Sequence, residues 1–180
     1  TLAAQARFQT LESWLRALPA PMLDRTPWLR YWFAVCRMPF DPAEARGHFE
    51  KAFRRFQASR DRTGALSSWA GIVDTSLHLG RDIGALDRWI AQFPRIVGKT
   101  DLAPELKDAL VVRMFGALAM RKPDHTDIGL WRKRAESLLQ SGEDLSLRLW
   151  AGVHLGIYLV WVGDRAGALG ARVLHLAGDP

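Results

Sequence analysis

Apolar residues recur along this chain at spacings of three and four, the periodicity of helices that bury one face. Leu11, Trp14, Leu15 and Leu18 make a first stripe, which stops at Pro19 and Pro21 because proline interrupts the backbone ladder. Thr26-Pro27 then offers an N-cap and a first-turn proline, followed by Leu29, Trp32, Phe33 and Cys36 on one side. Asp41-Pro42 starts the next stripe in the same way: Ala45, Phe49, Ala52, Phe53 and Phe56. The opposite face of that helix carries Arg46, Glu50, Lys51, Arg54 and Arg55, the pattern of a solvated surface. Ser67 to Gly80 brings Trp69, Ile72, Val73, Ser76 and Leu77, with Gly80 as a C-terminal stop.

The same grammar continues to the end of the chain. Asp82 opens a helix with Ile83, Leu86, Ile90 and Phe93. Pro104 to Met120 carries Leu106, Leu110, Met114, Ala117 and Leu118. Asp124 or Thr126 opens another, with Ile128, Trp131, Ala135, Leu138 and Leu139. Asp144 caps a very apolar helix to Val162, and Asp164 starts a last one with Ala168, Ala171, Val173, Leu174 and Leu176. No segment alternates apolar and polar residues with the β-branched bias of a strand, so the expectation is all-α.

About nine helices joined by short turns must pack antiparallel to their chain neighbours. The grouping is a helix over 1–18 and pairs over about 26–60, 64–97, 102–140 and 144–177 of one domain, 1–180. The turns Phe40-Asp41, Arg81-Asp82, Pro123-Asp124 and Gly163-Asp164 lie roughly 40 residues apart, a period of helical-hairpin arrays.

The first pair resembles a tetratricopeptide repeat. Leu29, Trp32, Cys36, Ala45, Phe49 and Ala52 fall in that family's register around Phe40-Asp41, with small residues where the two helices cross closely. Leu155, Gly156, Leu159 and Ala168 do so around Gly163-Asp164, and Val112, Phe115, Gly116 and Ala119 match a first helix. Asp74 departs from the pattern at a small-residue position, and Arg172 and His175 replace an aromatic and an alanine. The resemblance implies a right-handed superhelix of antiparallel helix pairs, an α-solenoid. A narrower resemblance covers Leu11 to Pro19, Leu23 and Pro27-Trp28-Leu29, which look like the run that opens the sensor region of MalT-type, ATP-dependent transcription regulators. The segment Ala52 to Gly64 resembles their link between repeats, with Arg60 where glycine is usual.

Composition narrows the setting. The 180 residues are 48% hydrophobic and 24% charged, enough for a real core and too apolar for disorder. Cys36 is the single cysteine, so no internal disulfide forms. The opening TLAAQARFQT has no apolar run of a secretory signal, and the most apolar stretch, Leu149 to Gly163, is shorter than a bilayer span. A cytoplasmic bacterial protein without membrane partners is the expectation. The absent initiator Met and the end at Ala-Gly-Asp-Pro suggest a piece of a longer chain. Net charge is +6 and the isoelectric point about 10.1. Only Lys51, Lys99, Lys107, Lys122 and Lys133 are lysines among 25 basic residues, so arginine supplies 20, spread along the chain rather than clustered.

Candidate chemistry is sparse. The HExxH, P-loop and GxSxG signatures are missing, and the glycines of Gly163 to Gly170 follow a helix rather than a strand. His48, His78, His125, His154 and His175 show no metal-ligand spacing with each other or with Cys36, so neither metal nor cofactor is expected. His154 and Cys36 read as core residues.

If first helices line a concave groove, as the resemblance implies, the groove displays Arg30 and Arg37, then Ser68, Asp74, Thr75 and His78. Arg113 and Arg121 follow, then Trp150 and Trp161. Arginine forks and aromatic planes suit an acidic peptide. The expected role is a protein–protein interaction or ligand-sensing module of a signalling or transcription regulator, taking a protein, a peptide or a small inducer, with self-association as a further option. A basic helical repeat binding nucleic acid is the alternative, and an enzyme on a helical array a more remote one.

Overall fold

The computed structural model describes residues 2–80, 83–98 and 101–163. Among them the chain is entirely helical: α1 (Leu2–Ala17), α2 (Ala20–Arg25), α3 (Pro27–Arg37), α4 (Pro42–Ala58), α5 (Arg62–Leu79), a 3₁₀ turn (Ile83–Ala85), α6 (Leu86–Val97), α7 (Pro104–Arg121), α8 (Ile128–Ser141) and α9 (Leu145–Trp161). Nine α-helices are present among the described residues, and they differ from the nine read from the sequence at two places. Short α2 follows Pro19, which sits at its N-cap and is therefore a start as well as a stop. The expected last helix, with Asp164 and Ala168 to Leu176, lies outside the described residues, as do Arg81-Asp82.

Local chemistry sets the boundaries. The Asp41 carboxylate accepts from Glu44 N at 2.9 Å and Asp144 from Leu147 N at 3.0 Å, so both act as N-caps. Thr26 occupies the N-cap position of α3, but its hydroxyl makes no capping bond there; Pro27 does the pre-organising. Helix α5 begins five residues before Ser67, because Asp61 caps it through Gly64 N at 2.8 Å. Gly80 ends α5 at φ +58, in the left-handed region where a side chain is unfavourable. Helix α4 ends in a complete Schellman motif: Asp61 N donates to Phe56 O at 2.9 Å and Arg60 N to Gln57 O at 3.2 Å. The left-handed residue of that motif is Arg60, φ +60, where the regulator resemblance has glycine.

Two compact units are formed, Thr1–Ala85 with Ala91–Thr100, and Leu86–Ile90 with Asp101–Pro180. In the first, α4 packs against both α3 and α5, and α1 and α5 also touch α3. The α4 stripe read from the sequence, Ala45, Phe49, Ala52, Phe53 and Phe56, is buried throughout. Glycines on α5 receive its aromatics: a Cβ on Gly71 would meet Phe49 ring atoms at 2.6 Å, and one on Gly64 would overlap Phe56. Gly64 and Gly71 are therefore the points at which the α4 aromatics come closest to α5. Trp14 and Trp32, placed on buried stripes by periodicity, are 67% and 45% exposed; the buried α3 residues are Arg30, Phe33, Ala34 and Cys36.

In the second unit α7, α8 and α9 all touch one another. Their common core joins Val112, Phe115 and Ala119 to Ala135, Leu138 and Leu139, and to Ala151, Leu155, Tyr158 and Leu159. Gly116 lets α9 approach, since a Cβ there would lie 2.5 Å from the His154 ring. His154 is buried, as a core histidine.

Candidate functional site

An open depression of about 420 Å³ lies on the first unit, lined by Arg30, Lys51, Arg54, Arg55 and Ala58. Arg30 stands in the first turn of α3, while the other four occupy one stripe of α4 at spacings of three and four. No acidic residue lines it. Arg30 is 8% exposed, so its guanidinium is a fixed wall rather than a waving surface charge. Lys51, Arg54 and Arg55 are exposed and make no ion pair among the described residues.

His48 borders this region and reports its potential. Arg30 Nη1 lies 3.3 Å from His48 Nδ1, and because arginine only donates, Nδ1 must accept and the imidazole is neutral, with its proton on Nε2. Burial, then the positive charges of Arg30 and Lys51, hold the imidazole below its ordinary pKa, against the raising influence of Glu44. The Phe33 ring, edge-on with centroids 4.7 Å apart, completes its packing.

The other residues marked by the sequence are dispersed. Arg37 is a structural clamp: its Nε donates to Glu44 at 2.5 Å and its Nη1 to Glu12 at 3.1 Å, tying α3 to α4 and α1. Glu12 also takes Arg16 at 2.8 Å. Ser68 and Thr75 are fully buried on α5 and face no solvent; Thr75 Oγ1 donates back to Ile72 O at 2.9 Å. Asp74 is half-buried and His78 exposed, with His78 Nδ1 2.9 Å from the Asp74 carbonyl. On α7, half-buried Arg113 reaches Ala109 O at 3.3 Å. Arg121 pairs with Asp87 at 2.6 Å and, with Lys122, holds that carboxyl below its usual pKa.

Trp150 and Trp161 are 39% and 54% exposed and share one face of α9 with Leu149, Val153 and Val160. Trp150 packs at 5.9 Å against the His154 ring, and Trp161 joins Pro123, Asp124 and Val162 around a second open depression of about 510 Å³. Cys36 is fully buried, and burial with the nearby Glu12 carboxylate pushes its thiol up, which leaves it unreactive.

Sequence reasoning placed Arg30 at a surface but read Lys51, Arg54 and Arg55 as an ordinary solvated face. The signal that joins them is the hairpin itself. Arg30 and Lys51 lie about equally far from the Phe40-Asp41 turn, so antiparallel packing brings them side by side.

Among the described residues no group of three His, Cys, Asp or Glu side chains is placed to hold a metal ion, and no helix is long and apolar enough to cross a membrane. Comparison with protein-family models, curated proteins and solved structures gives no match.

Proposed function

We propose that this chain is a tetratricopeptide-like binding module, whose hairpins stack into a right-handed superhelix and present a surface to a protein, a peptide or a small inducer, as in the sensor region of a MalT-type transcription regulator. The observation that carries this reading is the way each helix meets its neighbours. In both units a helix contacts the next two in the chain, α3 with α4 and α5, and α7 with α8 and α9. Small-on-large contacts fix the crossings, Gly71 on Phe49 and Gly116 on His154. Helices packed in this way share a continuous interior from one hairpin to the next, and arrays of that kind offer extended surfaces for partners. The depression around Arg30 gives such a surface a chemical character, because basic side chains gathered in one concavity favour anionic guests.

The test is a thermal-shift panel of sugars, nucleotides and acidic peptides against this protein. A member that binds the folded state raises the melting temperature, with a stabilisation that grows as the logarithm of its concentration over its Kd. The module reading expects at least one such ligand to act at physiological salt. A panel in which only DNA or RNA acts, and only at low salt, would replace it with the nucleic-acid alternative.

A further inference from the structure

The depression between α3 and α4 has the makings of a specific site, and this inference needs only that one hairpin. We infer that Arg30, Lys51, Arg54 and Arg55 form a binding site for a phosphate monoester group. Four cationic side chains converge on one concavity of about 420 Å³ that no carboxylate lines. That volume falls within the range of small-ligand sites. Three of the heads are exposed and have no ion-pair partner among the described residues, whereas Arg16, Arg37, Arg46, Arg121 and Arg132 each spend their charge on a nearby Asp or Glu. Exposed cations such as Lys133 and Arg134 are likewise unpaired among the described residues; what distinguishes this site is that four cations line one concavity.

The arrangement favours phosphate over other anions. From Lys51 to Arg55 the helix rises only about 6 Å, so the heads can meet on one compact group. A phosphate monoester carries close to two negative charges and three strong acceptor oxygens, enough for several donors at once. A lone carboxylate offers one charge and two oxygens. Arg30 supplies a planar fork whose burial, with His48 Nδ1 at 3.3 Å, fixes its direction before any ligand arrives. A nucleic-acid backbone needs cations strung along many phosphates, and this cluster is too short for that. The exposed stem of α4 beside it is open: a Cβ on Gly47, one turn before Lys51, would meet nothing within 4 Å.

Isothermal titration with four probes tests the inference: free O-phosphoserine, a phosphoserine peptide, the same peptide unphosphorylated, and a single-stranded DNA oligonucleotide. The phosphorylated probes are expected to bind and the unphosphorylated peptide is not. Arg54→Gln with Arg55→Gln should weaken phosphate binding by about tenfold or more, since charge-assisted bonds are the strong ones. Both residues are exposed, so the fold survives, as circular dichroism will check. Lys133→Gln with Arg134→Gln, exposed on α8, removes the same net charge and should leave binding unchanged. Arg30→Lys keeps the charge and loses the fork, and should weaken binding as well if it folds.

A peptide that binds at least tenfold tighter than free phosphoserine would assign the group to a protein partner, and equal affinities to a small phosphorylated molecule; both support the site. Equal losses in the two double variants would overturn it, as would binding of DNA alone, or no binding of either phosphorylated probe at millimolar concentration. None of these results depends on whether the hairpins stack.

Discussion

Replacing Gly71 by alanine puts a methyl group 2.6 to 2.7 Å from three atoms of the Phe49 ring. Carbon atoms are comfortable at about 3.5–4.0 Å, so the ring or α5 must move by about 1 Å. Phe49 is 1% exposed and lies at the α4–α5 contact, where close packing leaves little room for that displacement. Overpacking of this kind costs about 1–3 kcal/mol, and three simultaneous ring contacts place it toward the upper end. Alanine also gains about 0.5–1 kcal/mol over glycine in a helix interior. The net expectation is a loss of about 2 kcal/mol. Gly47 supplies the internal control, since it is exposed within α4 and a Cβ there meets nothing within 4 Å. Gly47→Ala should keep the propensity gain and stabilise by about 0.5–1 kcal/mol. Urea denaturation of both variants reads the difference as opposite shifts in midpoint at an unchanged slope. If Gly71→Ala were as stable as Gly47→Ala, the close approach of α5 to Phe49 would be wrong.

Three further outcomes follow from the geometry. Arg60→Gly should stabilise by about 0.5–1 kcal/mol, because arginine at φ +60 bears a steric cost that glycine avoids; a decrease in the urea midpoint would contradict that conformation. Arg37→Gln should destabilise by about 1–2 kcal/mol, allowing for partial exposure, by releasing the nearly buried Glu12 and the more exposed Glu44; an unchanged midpoint would mean that the clamp is not formed. His48 has a folded pKa held below its ordinary 6.5, so the unfolded chain takes up the proton first. Its contribution to stability is therefore present above about pH 6.5 and is lost as the pH falls toward the depressed folded value. His48→Gln should flatten that part of the melting-temperature profile between pH 7.5 and 5, and an unchanged slope would contradict a neutral imidazole beside Arg30.

The helical character of the chain was written in its periodicity, and the α4 stripe shows why. Alanine and phenylalanine alternate at helical spacing there, and each of the five residues is buried. The caps at Asp41 and Asp144 were equally plain, because a short acidic side chain before an apolar run has one favourable use. Periodicity failed where a helix is buried on more than one side or buries its polar residues. On α5, Ser68 and Thr75 sit inside, so a register that marked them for a groove could not hold. On α3, Arg30 is buried and Trp32 exposed, an inversion that hydrophobicity alone cannot produce; the long arginine stem lies against protein while its head reaches the depression. Arg37 looked like a free groove cation because its partners Glu12 and Glu44 are distant in sequence or across a turn. The basic cluster was hidden for the same reason. Its members lie on both arms of a hairpin, and neither arm alone differs from a solvated helix face.

The stacking of hairpins is the central claim, and a distance between spin labels tests it most directly. Cys36 is fully buried with a raised thiol pKa, so cysteines introduced at exposed Trp32 on α3 and Val153 on α9 can be labelled in its presence. In the stacked array that we propose, α3, α5, α7 and α9 would follow one another at about 8–10 Å per step, which would put the labels about 24–30 Å apart. A distance distribution centred at about 24 Å or longer is the predicted result, and one centred below about 20 Å, as in a closed bundle, would contradict the account.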